Sequence, residues 1–371
     1  MFNPLKSLKS ALGRRTYLGV DIGTTSIKIA ELTGSGVKPI LKNYGVLESY
    51  GHLERLNNAI QTSSLKMLDN ETAELLEKLV EQLDIRTTDA VASLPAFASF
   101  TTLLDVPAMS PQETAQAMEY QARALVPLPV SEVTIDWLPV GDYEDEKGIK
   151  HQQIFLISVP NEHIKKYQRI FKTAGLSLRA LEIEGLSLAR ILTTGDLVTT
   201  LIVDIGARST NISIAERGLL KYSAQTDFAG GSLTQSIASS LNISVRRAEV
   251  LKKQKGLVGM GGESELSTLM LPFLDVIIGE AKRVKNNYEK NYSPRLPRSE
   301  AGKGIVERVI LSGGGANLLG IEKYFDEQMK LPTLKAEPFA KISYPPEVEP
   351  LIREIGAPFA VALGLGIRQF T

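Results

Sequence analysis

The sequence of 371 residues has no cysteine and only three histidines. The missing cysteine excludes disulfides, thiol nucleophiles and cysteine-ligated metals. The histidines (His52, His151 and His163) lie far apart and share no ligand spacing, so we do not expect a zinc site. No run of about 18 apolar residues is present, which predicts that the chain does not span a membrane.

An excess of either charge is also missing, because 42 basic side chains balance 42 acidic ones. A neutral chain has no bulk field to attract nucleic acid, and no nucleic-acid motif occurs, so nucleic acid is not an expected partner. With 43% hydrophobic residues the composition is typical of a soluble globular protein of two or more domains. Residues 1–12 lack the apolar core of a signal peptide, which favours the cytosol. Their apolar and basic residues are typical of a short membrane-touching helix or of an N-terminal tail.

One stretch, residues 17–32 with the sequence YLGVDIGTTSIKIAEL, organises the chain. It predicts an apolar strand ending at Asp21, a glycine turn and a second strand. The N–H groups of Gly23, Thr24 and Thr25 can converge on one phosphate. Asp21 is then placed to hold a hydrated Mg²⁺ against that phosphate. The same pattern also occurs in ordinary hairpin turns.

A second copy of the pattern, residues 203–216 with the sequence VDIGARSTNISIAE, strengthens the phosphate interpretation. Here Asp204 ends the strand, and Gly206 and Ser209 lie in the turn. A duplicated domain that closes on one nucleotide from both sides explains the repetition, whereas two unrelated turns do not. Asp204 is therefore the second predicted ligand of Mg²⁺ through water.

Two further glycine clusters precede predicted helices. Gly230 and Gly231 can serve a phosphate at a helix N-terminus, or can simply allow a turn. The triplet Gly313, Gly314 and Gly315 is costly in unfolded-state entropy. It indicates either that a flat group such as an adenine ring lies against the backbone or that the chain turns sharply there.

Local patterns predict several element boundaries. Ser110 and Glu113 form a capping-box sequence at a helix start. Asn161 is a candidate cap for the next helix and Gly175 a candidate stop. Residues 181–192 are predicted to be the helix that leads into the second half of the chain.

The three glycine elements, in this order, resemble the actin-like ATPase superfamily, which includes actin, the heat-shock chaperone, sugar kinases and FtsA. The resemblance implies a duplicated ribonuclease-H-like α/β fold whose two lobes enclose ATP and Mg²⁺. Lys28 matches the lysine that contacts the phosphates in actin. Residues 248–252 resemble an FtsA-type helix, which makes Glu249 and Lys252 candidates to face the ribose. Glu184 aligns loosely with an acidic position in FtsA and is a candidate catalytic residue, although a helix-surface charge explains it equally well.

Within that superfamily the chain resembles, from end to end, the PilM family of cytoplasmic actin-like proteins in type IV pilus assembly. The resemblance rests on residues 19–23 with Lys28, and on residues 105–109, 124–129, 203–210 and 355–365. It implies binding of ATP and of the short cytoplasmic N-terminus of the inner-membrane protein PilN, in a groove between the first lobe and a small α+β insert. The protein would then join pilus motor components to the periplasmic alignment complex, recruited to the inner face of the membrane through its partner.

The resemblance also implies a division into subdomains. These are 1A (residues 1–88, 178–199 and 356–371), the insert 1C (89–177), 2A (200–240 and 303–355) and 2B (241–302).

Departures from the superfamily pattern limit the enzymatic expectation. Arg208 stands where strong hydrolases have a glycine run, so it obstructs or reorganises the γ-phosphate site. No residue is assignable for orienting an attacking water, and we expect at most slow ATP hydrolysis.

Two alternative functions stay open: a metabolite kinase, which needs a catalytic carboxylate and a sugar pocket, and an FtsA-type division filament. FtsA proteins end in a membrane-binding amphipathic helix, whereas this sequence ends at Thr371 after a small-residue helix.

Overall fold

The computed structural model describes residues 15–34, 38–48, 69–145, 147–258, 264–292 and 304–370. The helix or tail predicted at residues 1–12 lies outside these ranges. The strands are β1 (Arg15–Ile22), β2 (Ser26–Gly34), β3 (Ile40–Glu48), β4 (Asp89–Leu94), β5 (Phe100–Pro107), β6 (Val133–Glu144), β7 (Lys150–Pro160), β8 (Ser177–Ile183), β9 (Thr200–Ile205), β10 (Thr210–Glu216), β11 (Leu219–Thr226), β12 (Arg308–Ser312) and β13 (Thr333–Lys335). The helices are α1 (Asp69–Gln82), α2 (Pro111–Leu125), α3 (Asn161–Thr173), α4 (Glu184–Thr193), α5 (Gly230–Leu241), α6 (Val245–Lys255), α7 (Ser264–Tyr292), α8 (Ile321–Met329) and α9 (Ile352–Gly366).

Two five-stranded sheets have the same topology. The first has the order β3-β2-β1-β4-β8 and the second the order β11-β10-β9-β12-β13. In each, three strands form an antiparallel meander and two further strands join in parallel. This repetition confirms the predicted duplicated α/β fold with two lobes.

The central strands β1 and β9 each carry an apolar run before the aspartate, because elements cover both faces of each sheet. In β9 every residue is buried, and in β1 the last five residues are buried. A continuous apolar run is typical of a strand that pairs with a parallel neighbour and is covered on both faces. In both strands the aspartate is the residue before last, so the carboxylate lies where the sheet ends.

Helix α9 packs against β1 and α4 at very short range. A Cβ atom added at Gly19 would lie 1.9 Å from the carbonyl oxygen of Ala362, and one at Gly364 would lie 2.3 Å from the carbonyl oxygen of Ser187. The segment Pro346–Gln369, which includes α9, is long and apolar enough to cross a membrane by length and composition. In this structure most of it is buried in the protein core, which explains its composition.

The insert is a three-stranded sheet of order β5-β7-β6 with α2 on one face. The capping box at Ser110 and Glu113 is confirmed, and it starts α2. The predicted insert boundaries, residues 89–177, are corrected by the sheet memberships. Strand β4 belongs to the first sheet, and α3 packs against α1 and β8. The insert therefore consists of residues 100–160.

Two local predictions near the insert are wrong. Pro160, not Asn161, occupies the N-cap position of α3, and it makes no capping hydrogen bond. Asn161 is the first helical residue, and its amide oxygen accepts a hydrogen bond from the Thr134 hydroxyl at 2.8 Å. The segment 181–192 is not one helix, because β8 continues to Ile183 to pair with β4 and α4 begins at Glu184. Gly175 has a φ of +71°, as expected of a residue that ends a helix.

One helix of the second lobe, α5, packs outside its predicted subdomain. The predicted division between residues 240 and 241 assigns α5 to subdomain 2A and the next two helices to subdomain 2B. In the structure α5 packs against α6 and α7, while α8 packs against β13. Helix α5 therefore groups with the helical subdomain, and its N-terminus extends back to the second sheet.

The close approach of α9 to β1 predicts a strong effect of one methyl group. Gly19→Ala should destabilise the protein by more than about 3 kcal/mol, because the new Cβ overlaps the backbone of α9. Gly279→Ala is the matched control, since that site in α7 has open space, and Ala there should stabilise by about 0.5 to 1 kcal/mol. Urea unfolding of both variants measures the difference. Equal stabilities would contradict the packing described here.

Candidate functional site

A cavity of about 640 Å³ lies between the two lobes. This size is in the range of small-molecule and cofactor sites. Every residue singled out in the sequence for nucleotide, metal or catalytic roles lines it: Asp21, Gly23, Thr24, Thr25, Lys28, Glu184, Asp204, Gly206, Ser209, Gly230, Gly231, Glu249, Lys252, Gly313, Gly314 and Gly315. The fold thus brings together residues from six separate segments of the chain.

The first aspartate turn is a tight connection between β1 and β2. The Gly23 N–H donates to the Ser26 carbonyl oxygen at 2.9 Å and closes the turn. The prediction that the Gly23 N–H points at a ligand is therefore wrong in this structure. The amides of Thr24 and Thr25 make no hydrogen bond within the described part of the chain and are left for an anion.

The second turn has the same geometry. The Gly206 N–H donates to the Ser209 carbonyl oxygen at 3.0 Å. Two carbonyl oxygens of this turn also accept hydrogen bonds. The Gly230 N–H donates to the Gly206 carbonyl oxygen at 3.0 Å, and the Gly231 N–H donates to the Ala207 carbonyl oxygen at 2.8 Å. These two amides of the α5 N-terminus are committed to the second turn. They do not point at a phosphate, so of the two alternatives for this glycine pair the geometry favours the turn.

The glycine triplet also serves the packing of the chain itself. Gly313 has a φ of +77°, and a Cβ there would lie 2.5 Å from the Ile205 carbonyl oxygen. At Gly315 a Cβ would overlap the Ile205 side chain at 2.3 Å. Only Gly314 of the three faces open space. The sharp-turn alternative accounts for two of the glycines, and the flat-ligand interpretation is left with Gly314.

In the first lobe the carboxylate of Asp21 is fully paired. One oxygen accepts from the Ser93 hydroxyl at 2.9 Å, and the other lies 3.2 Å from the Lys28 ammonium. Lys28 is the residue opposite Asp21 on β2. Ser93, at the end of β4, was not predicted from the sequence, because nothing along the chain indicates that it reaches Asp21.

In the second lobe the carboxylate of Asp204 is buried with fewer hydrogen-bond partners than that of Asp21. Desolvation raises the pKa of Asp204 to about 6; the neighbouring Ser312 hydroxyl opposes this shift, and the negative charge of Asp21 adds to it. Its Oδ1 is buried and has no hydrogen-bond partner in the described ranges. An unpartnered acceptor of this kind is expected where a ligand or water binds.

Glu184 is the first residue of α4, at the floor of the cavity. Burial raises its pKa well above the ordinary value, and the charges of Asp21 and Asp204 raise it further. The Tyr167 hydroxyl is buried nearby without a partner among the described residues. A raised pKa moves a carboxyl toward the range in which a general base works. The structure therefore disfavours the alternative that Glu184 is a helix-surface charge.

Glu249 and Lys252 bind each other and the start of α5. The Lys252 ammonium donates to the Gly230 carbonyl oxygen at 3.0 Å and to the Thr234 hydroxyl at 2.8 Å, and it lies 2.7 Å from Glu249. An ammonium has three N–H donors, so none is left for a ribose. The prediction that Lys252 faces a ribose is not met in this structure. Glu249 lines the cavity, and its Oε1 lies 3.8 Å from the Lys253 ammonium.

Sequence reasoning did not assign Asn211, although a signal for it exists. Asn211 follows Asp204 at the spacing at which Lys28 follows Asp21, and it faces Asp204 across the β9–β10 ladder. It lines the cavity. Aligning the two halves residue by residue would have identified it.

The donor set fits a hydrated divalent cation. In the described ranges no three His, Asp or Glu side chains are grouped to ligate a metal directly. Mg²⁺ usually keeps several waters and binds through one or two carboxylates. Asp21 already has two partners, whereas Asp204 has a free buried oxygen, so Asp204 is the better placed of the two.

Comparison with known proteins gives consistent results. The model of the family described as type IV pilus assembly protein PilM matches residues 19–370. Cell division protein FtsA of Enterococcus faecalis is 24% identical over 355 residues, which cover 85% of this chain and 78% of that protein.

Solved structures share the fold. The PilM-PilN type IV pilus biogenesis complex has a TM-score of 0.78 at 22% identity, and the match covers 97% of this chain and 100% of that chain. MreB5 of Spiroplasma citri bound to AMPPNP has a TM-score of 0.50 at 15% identity, covering 94% of each chain. At these identities the likeness shows the actin-like architecture.

The buried Asp204 predicts a pH-dependent stability. A carboxyl whose pKa is higher in the folded state than in the unfolded state destabilises the fold as pH rises through its folded value, here about 6. Asp204→Asn should therefore stabilise the nucleotide-free protein by about 2 to 3 kcal/mol above pH 7 and by little near pH 4. Urea unfolding across this range measures the gap. The exposed Asp227→Asn is the control, and a gap for Asp204→Asn that does not grow with pH would contradict the assignment.

Proposed function

The chain belongs to the PilM family of type IV pilus assembly proteins, and from this premise we propose that it is an ATP-binding scaffold whose bound nucleotide holds the two lobes together. One observation carries the proposal: the two aspartate turns, one from each lobe, line the same cavity. A ligand that binds only the closed arrangement stabilises that arrangement by mass action.

Each group of the site has a role in this proposal. The free amides of Thr24 and Thr25 and the ammonium of Lys28 hold phosphate oxygens. Asp204, with Asp21, holds a hydrated Mg²⁺, which neutralises phosphate charge when bound. The open backbone face at Gly314 receives the flat base, and the Oε1 of Glu249, which the Lys253 ammonium approaches only to 3.8 Å, accepts from the ribose.

Arg208 is the main difference between the two turns. It takes the place that Thr25 has in the first turn, and it lines the cavity. No ion pair or hydrogen bond of its side chain occurs in the described part of the chain. An unpaired guanidinium beside a phosphate site binds phosphate oxygens rather than blocking them. We assign Arg208 to the terminal phosphate, with Glu184 as the candidate for slow hydrolysis.

The proposed partner is the cytoplasmic N-terminal segment of a PilN-like inner-membrane protein, bound in a groove between the first lobe and the insert. Family membership and the fold of the PilM-PilN complex support this assignment. Binding would recruit the protein from the cytoplasm to the inner face of the membrane and connect pilus motor components to the assembly.

A physical link between the second lobe and the insert supports coupling between nucleotide and partner. Strand β11 bulges at Lys221, and β6 bulges at Val140, so both residues leave their ladders. The buried Lys221 ammonium donates to the carbonyl oxygen of Val140. Burial lowers the pKa of Lys221. We propose that this bond transmits movement of the second lobe to the insert.

A second candidate, an FtsA-type filament protein, is favoured by the similarity to FtsA over most of the chain. Sedimentation of the purified protein with ATP and lipid vesicles distinguishes the two. Polymers that pellet with lipid would support the filament, and binding of a PilN segment by unpolymerised protein would support the pilus role.

The nucleotide site predicts a loss of binding in first-lobe variants. Asp21→Ala and Gly23→Glu should each weaken ATP affinity at least about tenfold, which corresponds to about 1.4 kcal/mol or more. Asp21→Ala removes a carboxylate that holds the hydrated cation, whereas Gly23→Glu adds a negatively charged side chain to the turn beside the phosphates. Titration calorimetry with ATP and Mg²⁺ measures it, and circular dichroism confirms folding. Asp136→Ala on the insert, outside the cavity lining, is the control. Folded variants with unchanged affinity would overturn the site.

The lobe–insert link predicts a separable defect. Lys221→Met keeps the apolar stem of the side chain and removes the bond to Val140. The wild type should bind the PilN segment at least about fivefold more tightly with ATP than without, and the variant should lose this difference. Fluorescence anisotropy of a labelled peptide measures both. The exposed Lys323→Met is the control. Full ATP dependence in the Lys221 variant would show that the link does not carry the coupling.

A further inference from the structure

A row of polar side chains crosses the second sheet at the edge of the cavity. Backbone register places Ser312 beside Asp204, Asp204 opposite Asn211, and Asn211 opposite Gln225. Directly paired residues of neighbouring strands project from the same face of a sheet. The first sheet carries the corresponding row through Asp21 and Lys28.

In the first lobe both carboxylate oxygens of Asp21 have partners within the row, whereas in the second lobe several polar atoms have none. The Oδ1 of Asp204, the Nδ2 of Asn211 and the Oε1 of Gln225 are buried and have no hydrogen-bond partner within the described residues. Asn211 is only 4% exposed, and its amide lines the cavity. A buried donor without a partner costs about 1 to 3 kcal/mol, and so does a buried acceptor.

The orientation of the Asn211 amide is fixed from the other side. Its Oδ1 accepts from the hydroxyls of Ser213 and Ser223, at 3.0 and 3.1 Å. These bonds hold the amide in place and leave the Nδ2 as the free end. The free donor of Asn211 and the free acceptor of Asp204 are neighbours across the ladder but are not bonded to each other. One small molecule that both accepts and donates satisfies the two together, and water has this chemistry.

We propose that Asn211 holds an ordered water molecule against Asp204, in the place where the first lobe has the Lys28–Asp21 ion pair. Within the proposed function, on which this role rests, that water either belongs to the hydration shell of the divalent cation or is the water that attacks the terminal phosphate. A neutral amide suits both roles, since it donates a hydrogen bond and leaves the negative charge of Asp204 available to the cation.

A crystal structure of the nucleotide-free protein tests the water directly. The expected result is one ordered water within about 3.2 Å of both the Asp204 Oδ1 and the Asn211 Nδ2. The same structure of Asn211→Leu, which has similar volume and no donor, should lack it. Absence of the water from the wild type would overturn the proposal, whether or not the protein binds nucleotide.

Binding of ATP with Mg²⁺ and with a chelator then identifies the role of the water. If the water belongs to the cation shell, Asn211→Leu should bind ATP in the presence of chelator within about twofold of the wild-type affinity. The factor by which Mg²⁺ increases ATP affinity should be at least about tenfold smaller in the variant than in the wild type. If it is the attacking water, the enhancement should remain and ATP turnover should fall at least about tenfold.

Two controls keep these outcomes distinct. Asn211→Ala also removes the donor and adds no charge beside Asp204, so it should reproduce the effect of Asn211→Leu. Asn317→Ala changes an amide that lines the same cavity and donates to the Glu354 carbonyl oxygen instead, so it should leave the Mg²⁺ enhancement and the turnover unchanged. Unchanged enhancement and unchanged turnover in both Asn211 variants would overturn the role. A wild type that binds no nucleotide would instead refute the proposed function.

Discussion

Two buried carboxylates of like charge face the same cavity, and their mutual repulsion constrains the rest of the site. Asp21 raises the pKa of Asp204 and of Glu184, and burial acts in the same direction on both. Such an arrangement is costly in an empty protein. Lys28 and Ser93 offset part of this cost, because they pair with the carboxylate of Asp21. The cation of the proposed function would offset the rest at Asp204.

Duplication produced two similar half-sites that have since diverged in charge. The strand order, the turn geometry and the serine beside each aspartate are the same in both halves. The residue opposite the aspartate differs: it is Lys28 in the first lobe and Asn211 in the second. The first half is complete without a ligand, whereas the second leaves hydrogen-bonding groups open. Such a difference suits a ligand whose phosphates lie on one side and whose cation lies on the other.

Glycines in these loops mostly serve the chain itself. From the sequence we expect backbone amides to meet a ligand at Gly23 and Gly206, and either a ligand or a turn at the other glycines. In the structure, the Gly23 and Gly206 amides close their own turns, and the amides of Gly230 and Gly231 bind the second turn. The amides without a backbone partner are instead those of the residues that follow, Thr24 and Thr25. A glycine allows close approach, but the sequence does not show whether the approaching group is a ligand or another part of the protein.

The sequence by itself determined the fold class and the candidate site, because both depend on local patterns that repeat. The segment Asp-Ile-Gly after an apolar run marks the end of a central strand wherever it occurs, and the repetition predicted two facing lobes. Only the tertiary structure decided which side chains pair across strands. Ser93 joins Asp21 from a strand that is distant in sequence, Lys252 loses its free donors to α5, and Asn211 takes the place opposite Asp204. Such pairings follow from sheet register and burial, which bring distant residues together and have no signature along the chain.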